Sequence, residues 1–466
     1  MSIDQARKAV MIIDPGIFKD YDIRAVVGEQ LDTEGVERIG QSIAHQFKPT
    51  TVAIGRDMRT SGEEWFTALS DGLRSQGVTV IDLGLIATDM TYYAAGTLDL
   101  DLAIMISASH NPPQYNGFKI VKKGAAGVSG DTGIYDLRDL ATSNQKFTAA
   151  DTQGTITQVD LMTDWITHAL SMISGSKIKS LKVVVDAGNG MAGKVIPELA
   201  GKLPIKVVPM YFELDGTFPN HLANPLLTET HGAIIAKIKE EQADLGIMFD
   251  GDGDRMFLLD ETGQFISGTV TTAMVAVQML TKQPNSTILY NAICGRVVPE
   301  TVEKLAGTPV RVKVGHTLIK SDMRKHDAVF AGEHSGHYYF KENFSADSGL
   351  IAALTVLELM SAQDKTLSEL VAEFDIYPSS GEINYSVEDK EAMMKGLEKH
   401  FTDATSTDWL DGVSIWYDDW WANIRPSNTQ PVLRLNVEAD NQQILRAKTQ
   451  EISKYIESNG GVLAEE

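Results

Sequence analysis

Leu102-Ala-Ile-Met-Ile106, then Ser107-Ala-Ser-His-Asn-Pro-Pro-Gln-Tyr-Asn116, then Gly117-Phe-Lys-Ile-Val-Lys122 is the stretch from which the fold can be read. Its first five residues are apolar and bounded by polar ones, the pattern of a strand buried on both faces. Its last six return as a second strand. The loop between them carries hydroxyls, an imidazole and carboxamides, and Lys119 follows it. Ser109 therefore stands at the carboxyl end of a buried strand, where open α/β sheets place their ligands. Taken alone, Ser107, Ser109 and Asn111 read equally well as caps of a turn.

Working outward, the same order recurs three times. Ahead of this stretch lie an apolar strand, Thr51–Ile54, the turn Gly55-Arg-Asp-Met-Arg-Thr-Ser-Gly62, a helix over Glu63–Gln76 and a strand over Val78–Ile81. Trp65, Phe66, Leu69 and Leu73 fall on one face of that helix. In the second third, strand Leu181–Val185, helix Lys194–Gly201 and strand Ile205–Val208 precede strand Leu245–Phe249, the loop Asp250-Gly-Asp-Gly-Asp-Arg255 and the returning strand Met256–Leu259. In the final third, Thr287–Tyr290, helix Val297–Leu305, Val310–Val314 and Ala328–Phe330 lead to Gly332-Glu-His-Ser-Gly-His337 and Tyr338–Phe340. Three such units, each presenting a polar loop at an equivalent place, predict three similar mixed-sheet α/β domains whose loops face one cleft. From about Pro378 the pattern becomes short alternating strands around Arg425-Pro-Ser-Asn-Thr-Gln-Pro431, then a helix from an Asp440 N-cap to a Gly460 stop, which predicts a smaller α+β domain. The expected units are 1–153, 154–259, 260–376 and 377–466. Trp416, Trp420 and Trp421 in the last unit read as core rather than as a sugar-stacking platform.

Composition narrows the function. The 466 residues carry 63 Asp and Glu against 41 Lys and Arg, a formal net charge of -22, which argues against a surface for nucleic acid or anionic lipid. An anionic small substrate would need a locally basic pocket. Cys294 is the single cysteine, so no intramolecular disulfide or cysteine metal cluster is possible, and it reads as an inert buried thiol. No apolar run approaches the ~20 residues of a membrane helix, and Met1–Gln5 lacks the order of a signal peptide. A cytoplasmic location is expected.

The loops supply the chemistry. Asp250, Asp252 and Asp254 alternate with glycines, so three hard carboxylates can converge on one side and suit Mg²⁺. A Ca²⁺ loop of the EF-hand type would place Glu261 at its twelfth position, but Arg255 stands where that loop requires glycine, and strands flank the segment. Arg425, Ser427, Asn428 and Thr429 offer a guanidinium, two hydroxyls and an amide fit for a phosphate, although the same turn would serve a plain hairpin. Glu333, Ser335 and His337 alternate and could meet sugar hydroxyls. Arg24, taken alone, reads as a solvated charge, and His316 as a structural histidine.

Together these motifs resemble the α-D-phosphohexomutase superfamily, specifically its bacterial phosphomannomutase/phosphoglucomutase group. Tyr21-Asp-Ile-Arg24, Ala108-Ser-His-Asn-Pro112, Asn116-Gly-Phe-Lys119, Asp250-Gly-Asp-Gly-Asp-Arg255, Gly332-Glu-His-Ser-Gly-His337 and Arg425-Pro-Ser-Asn-Thr429 occur in the expected order over almost the whole chain. The resemblance implies four domains round a central cleft, with Ser109 the phosphoserine and Ser109, Asp250, Asp252 and Asp254 the Mg²⁺ ligands. It implies that Glu333 and Ser335 read sugar hydroxyls, that Arg425, Ser427, Asn428 and Thr429 hold the unreacting phosphate, and that Tyr21, Arg24, Lys119, Arg255, His316 and His337 line the site. The implied reaction is a reversible 1-to-6 phosphoryl shift between hexose 1-phosphate and 6-phosphate, with the hexose 1,6-bisphosphate as intermediate and activator. Lys119 and His110 are the two candidates for moving the proton. Ser107 and Ala25 depart from the threonine and glycine usual there, and His334 sits at a position that varies between subgroups, so mannose, glucose and glucosamine phosphates all remain candidates. A monomer or homodimer is expected, and a non-catalytic phosphosugar or Ca²⁺ binder is the alternative from another class.

Overall fold

The computed structural model describes residues 11–427 and 432–464. The first sheet holds seven strands: β1 (Ile23–Val26), β2 (Thr51–Arg56), β3 (Thr79–Leu85), β4 (Leu102–Ile106), β5 (Tyr115–Lys122), β6 (Ala126–Gly127) and β7 (Ile156–Gln158). Their order is β1-β5-β4-β2-β3-β7, with β6 paired to β5. β2 lies parallel to β3 and β4, while β5 returns antiparallel along β4 with Met105 opposite Lys119. Every residue of β4 is buried, because helices cover both faces of the sheet.

The second sheet comprises β8 (Leu181–Asp186), β9 (Ile205–Met210), β10 (Leu245–Phe249), β11 (Met256–Asp260) and β12 (Phe265–Ile266), ordered β12-β11-β10-β8-β9. The third comprises β13 (Thr287–Asn291), β14 (Thr308–Val312), β15 (Phe330–Gly332), β16 (Tyr338–Phe340) and β17 (Ala346–Asp347), ordered β14-β13-β15-β16-β17. In each sheet the first long strand sits between the second and the third, in parallel, and the fourth returns antiparallel beside the third. The loop between third and fourth strand is therefore delivered at one equivalent place three times over. Two short edge strands lie beyond the expected breaks: β7 joins the first sheet past residue 153, and β12 the second past residue 259. Backbone pairing at an open sheet edge decides their membership, and pieces of two or three residues carry no periodic signal. Strand β14 also begins two residues before the expected Val310, and Pro309 is tolerated there because β14 is an edge strand.

The last unit is an antiparallel sheet of β18 (Ser379–Ser386), β19 (Ser406–Asp408), β20 (Val413–Trp416), β21 (Trp420–Pro426), β22 (Val432–Ala439) and β23 (Val462–Leu463), ordered β19-β20-β21-β22-β18-β23. Helix Gln442–Ser458 packs on it. Its N-cap is Asn441, whose side chain accepts the Ile444 amide at 3.0 Å, rather than the expected Asp440, which is drawn away to Arg296 Nη2 at 2.8 Å. Trp420 and Trp421 are buried as expected of core residues, whereas Trp416 is only half-buried and stacks on Trp421 with centroids 4.7 Å apart under the Arg311 guanidinium. Cys294 is buried, and burial lifts its thiol to about 12. No helix among the described residues is long and apolar enough to cross a membrane.

Candidate active site

Ser109 stands in the loop just past the end of β4, after Ser107 and Ala108, and is 3% exposed. Its backbone is in the left-handed region, φ 51°, which few residues other than glycine occupy. The conformation aims Oγ at the second unit, where it donates to Asp250 Oδ2 at 2.7 Å, with His110 Nδ1 at 3.2 Å. Gly251 makes this approach possible, because a Cβ there would lie 2.6 Å from the Ser109 carbonyl oxygen.

The β10–β11 loop brings together carboxylate oxygens of Asp250, Asp252 and Asp254 that all lie within 4.8 Å of one another. All three are buried. Lys119 Nζ, arriving from β5, bridges Asp252 Oδ2 at 2.7 Å and Asp254 Oδ2 at 2.5 Å. Arg255 Nε meets Asp250 Oδ2 at 2.9 Å, and Thr88 Oγ1 donates to Asp252 Oδ2 at 2.5 Å. Burial and the neighbouring Asp252 charge push the Asp254 carboxyl well above its ordinary range. Burial acts the same way on Asp252, but the Lys119 ammonium overcomes it and holds that carboxyl low. Burial likewise opposes the charge on Lys119, and the two aspartates outweigh it to raise the ammonium. Asp252 Oδ1 and Asp254 Oδ1 are buried without a hydrogen-bond partner among the described residues. Crowded carboxylates with unused oxygens beside a hydroxyl make a donor set for a hard divalent cation. Strands rather than helices flank the loop, which removes the EF-hand reading.

Arg24 is not a solvated charge. Its side chain, 19% exposed, reaches Asp22 Oδ2 at 2.8 Å and also donates to Asn111 Oδ1, within the serine loop. Pairing of β1 with β5 sets Arg24 opposite Gly117 and so carries it to the cleft. Tyr21 donates to the Val314 carbonyl at 3.1 Å, and its ring meets His316 edge-on at 5.9 Å, joining the first unit to the third. His316 stacks against His337 at 6.5 Å, and His337 Nε2 lies 3.8 Å from Asp254 Oδ1. Burial, followed by nearby cations, holds His110, His316 and His337 well below the ordinary imidazole value, so all three are neutral at pH 7.

Glu333 is 2% exposed and receives Asn291 Nδ2 at 3.2 Å, Tyr339 Oη at 2.6 Å and the Gly315 amide at 3.3 Å; burial raises its carboxyl. Ser335 Oγ meets His337 Nδ1 at 3.1 Å. Arg255 bridges to His337 along the backbone, which ties the Asp250–Arg255 loop to the Gly332–His337 loop. His334 turns away from both: its Nδ1 meets Thr269 Oγ1 at 2.9 Å, and it lines a cavity of about 400 Å³ between the third and last units. Arg425, 4% exposed, faces Glu382 Oε2 at 3.4 Å, and the Ser427 amide bonds the Val432 carbonyl at 2.9 Å. Asn428 and Thr429 lie outside the described residues.

Family models of the phosphoglucomutase/phosphomannomutase α/β/α domains I, II and III match residues 15–170, 163–263 and 267–377, and that of the C-terminal domain matches 382–454. The chain belongs to the phosphoglucomutase/phosphomannomutase family. It is 39% identical over 453 residues to a phosphomannomutase of Vibrio cholerae serotype O1, covering 94% of this chain and 98% of that one. It is 40% identical over 442 residues to the phosphohexose mutases of Xanthomonas campestris pv. campestris, covering 94% and 98%. The crystal structure of a phosphoglucomutase/phosphomannomutase family protein from Burkholderia thailandensis superposes with a TM-score of 0.89 at 32% identity, covering 97% of this chain and all of that one. The chain is thus a phosphohexomutase, an enzyme rather than a passive phosphosugar or Ca²⁺ binder.

Two residues packed against this candidate site escaped the sequence reading. Asp57 and Arg59, from the turn after β2, are 1% and 3% exposed and lie directly beneath the Ser109 loop. The available signal was their place at the carboxyl end of a buried strand, the position Ser109 itself occupies.

Proposed function

We propose that this phosphohexomutase catalyses a reversible 1-to-6 phosphoryl shift on a hexose phosphate, mannose or glucose, with Ser109 as the residue that carries the phosphoryl group. The observation that carries the reading is Ser109 Oγ held 2.7 Å from Asp250 at the rim of the three-aspartate cluster. Phosphorylated Ser109 gives its phosphoryl group to a free sugar hydroxyl: the Oγ–P bond breaks, the sugar O–P bond forms, and the hydroxyl proton leaves. The hexose 1,6-bisphosphate then presents its other phosphate, which returns to Ser109.

Lys119 is a charged ammonium held between two carboxylates, whereas His110 is neutral and 3.2 Å from Oγ, so His110 is the better proton acceptor. Asp250, Asp252 and Asp254 with Ser109 would hold Mg²⁺, which supplies charge neutralisation for the transferring group. Lys119, Arg24 and Arg255 add the fixed positive charge that phosphoryl transfer requires. Glu333 and Ser335 orient the sugar hydroxyls, with Tyr21, His316 and His337 lining the sugar's path. Arg425, Ser427, Asn428 and Thr429 take the phosphate that does not react, and closure of the last unit would shield the intermediate from water. A cytoplasmic monomer or homodimer completes the reading.

Ser109→Ala should abolish transfer and remove one phosphate's mass from the purified protein; full turnover by this variant would end the covalent reading. Activity untouched by EDTA would end the Mg²⁺ assignment. Mannose, glucose and glucosamine 1-phosphates assayed side by side decide the sugar.

A further inference from the structure

We propose that Arg59 and Asp57 are positioning residues that hold Ser109 in its reactive backbone conformation, an inference that rests on Ser109 as the phosphoryl carrier. The Arg59 guanidinium donates to four carbonyls of one loop. Nη2 reaches Ser109 O at 2.8 Å and Asn111 O at 2.6 Å, and Nη1 reaches Pro112 O and Tyr115 O, both at 2.8 Å. Its remaining nitrogen, Nε, lies 3.4 Å from Asp57 Oδ2. Asp57 Oδ2 accepts Ser107 Oγ at 2.6 Å, and Ser107 Oγ in turn accepts the Ser109 amide at 2.8 Å.

Both peptide groups of Ser109 are therefore tied to the same turn, its N–H through Ser107 to Asp57 and its C=O to Arg59. The tie matters because Ser109 sits at φ 51°, a region that a serine leaves readily unless its surroundings over-determine it. Release of either tie would let the loop relax and carry Oγ away from Asp250. Both side chains of the pair are fully buried, and the second unit seals them. The Phe218 ring stands 5.4 Å from the guanidinium, and Gly216 fits so closely that a Cβ would lie 2.6 Å from Arg59 Cα. A buried arginine serving general stability has no need to direct both terminal nitrogens at the reactive loop. Lysine cannot reproduce the planar fork.

The test compares Arg59→Lys, Ser107→Ala and Ser107→Thr in the full-length enzyme. It reads kcat and KM for glucose 1-phosphate, the stoichiometry and affinity of glucose 6-phosphate by calorimetry, and Ser109 phosphorylation by intact mass after incubation with glucose 1,6-bisphosphate. Arg59→Lys and Ser107→Ala should each lower kcat at least about tenfold and slow phosphorylation of Ser109, with affinity and stoichiometry within about threefold of the parent. Ser107→Thr, which keeps the hydroxyl, should restore kcat. If Arg59→Lys does not fold, the Ser107 pair decides. The proposal is overturned if kcat is retained in Ser107→Ala, or if kcat and binding stoichiometry fall together, as loss of folded protein would make them. Transfer by Ser109→Ala is the separate result that removes the reading beneath it.

Discussion

Replacing Lys119 with methionine tests how the carboxylate cluster is balanced. Three buried aspartates face two buried cations, Lys119 and Arg255, and the Lys119 ammonium makes its contacts at 2.7 and 2.5 Å. Methionine keeps the apolar stem and deletes the charge, leaving Asp252 and Asp254 without their partner. Removing one member of a buried ion pair costs roughly 3–5 kcal/mol. At about 2–4 °C per kcal/mol for a unit of 150–250 residues, the metal-free variant should melt roughly 6–20 °C below the parent.

Proton uptake will offset part of that loss. Burial and Asp252 raise Asp254 above its unfolded value, so the folded state binds this proton more tightly, and stability falls as pH rises from the unfolded pKa through the folded one. The deficit in EDTA should therefore widen from mildly acidic to mildly alkaline buffer. Mg²⁺ should narrow it again, since a cation at a hundred times its Kd contributes about 2.7 kcal/mol and in the variant meets no competing ammonium. Scanning calorimetry in EDTA and in Mg²⁺ is the assay. Equal melting temperatures in EDTA, or a variant that gains no more from Mg²⁺ than the parent, would refute the reasoning.

Three other substitutions probe the surroundings. Gly251→Ala places a Cβ 2.6 Å from the Ser109 carbonyl, where neither backbone can yield cheaply, so kcat should fall by about tenfold or more through strain of roughly 1–3 kcal/mol; an unchanged rate would mean that Ser109 tolerates displacement. Tyr339→Phe removes the 2.6 Å donor to Glu333 at a cost of roughly 1–3 kcal/mol, and steady-state kinetics should show KM for the hexose phosphate rising several-fold with a smaller change in kcat. His221 bonds Asp186 Oδ2 at 2.9 Å and the Leu222 carbonyl at 2.8 Å; burial works against its charge, but these partners raise its imidazole. The stability it contributes is complete below the unfolded pKa and lost as pH rises through the folded one. His221→Gln should therefore lower the melting temperature in mildly acidic buffer and matter little in alkaline buffer.

Much of this molecule follows from local pattern. Strands Leu102–Ile106, Leu245–Phe249 and Tyr338–Phe340 occupy the residues that apolar runs and bounding polar residues assign them, because burial on both faces demands continuous apolar sequence. Helices Gly268–Lys282 and Gly349–Gln363 carry no such signal. Buried on nearly every side, they have no polar stripe for periodicity to reveal.

The same division runs through the site. Ser109 and the three aspartates were legible in the chain itself, since contiguous motifs bring their own chemistry and the threefold repeat sets their loops in equivalent places. Where Arg24, Asp57, Arg59 and Tyr339 lie is decided only in three dimensions. Arg24 becomes a cleft residue through the pairing of β1 with β5, and Asp57 and Arg59 reach the serine loop because β2 lies parallel to β4 with Arg56 beside Ile106. Tyr339 meets Glu333 where β16 turns back along β15. Motif residues are recognisable because their function needs particular neighbours in sequence. Residues that hold them in place need only neighbours in space, which sheet order and register supply.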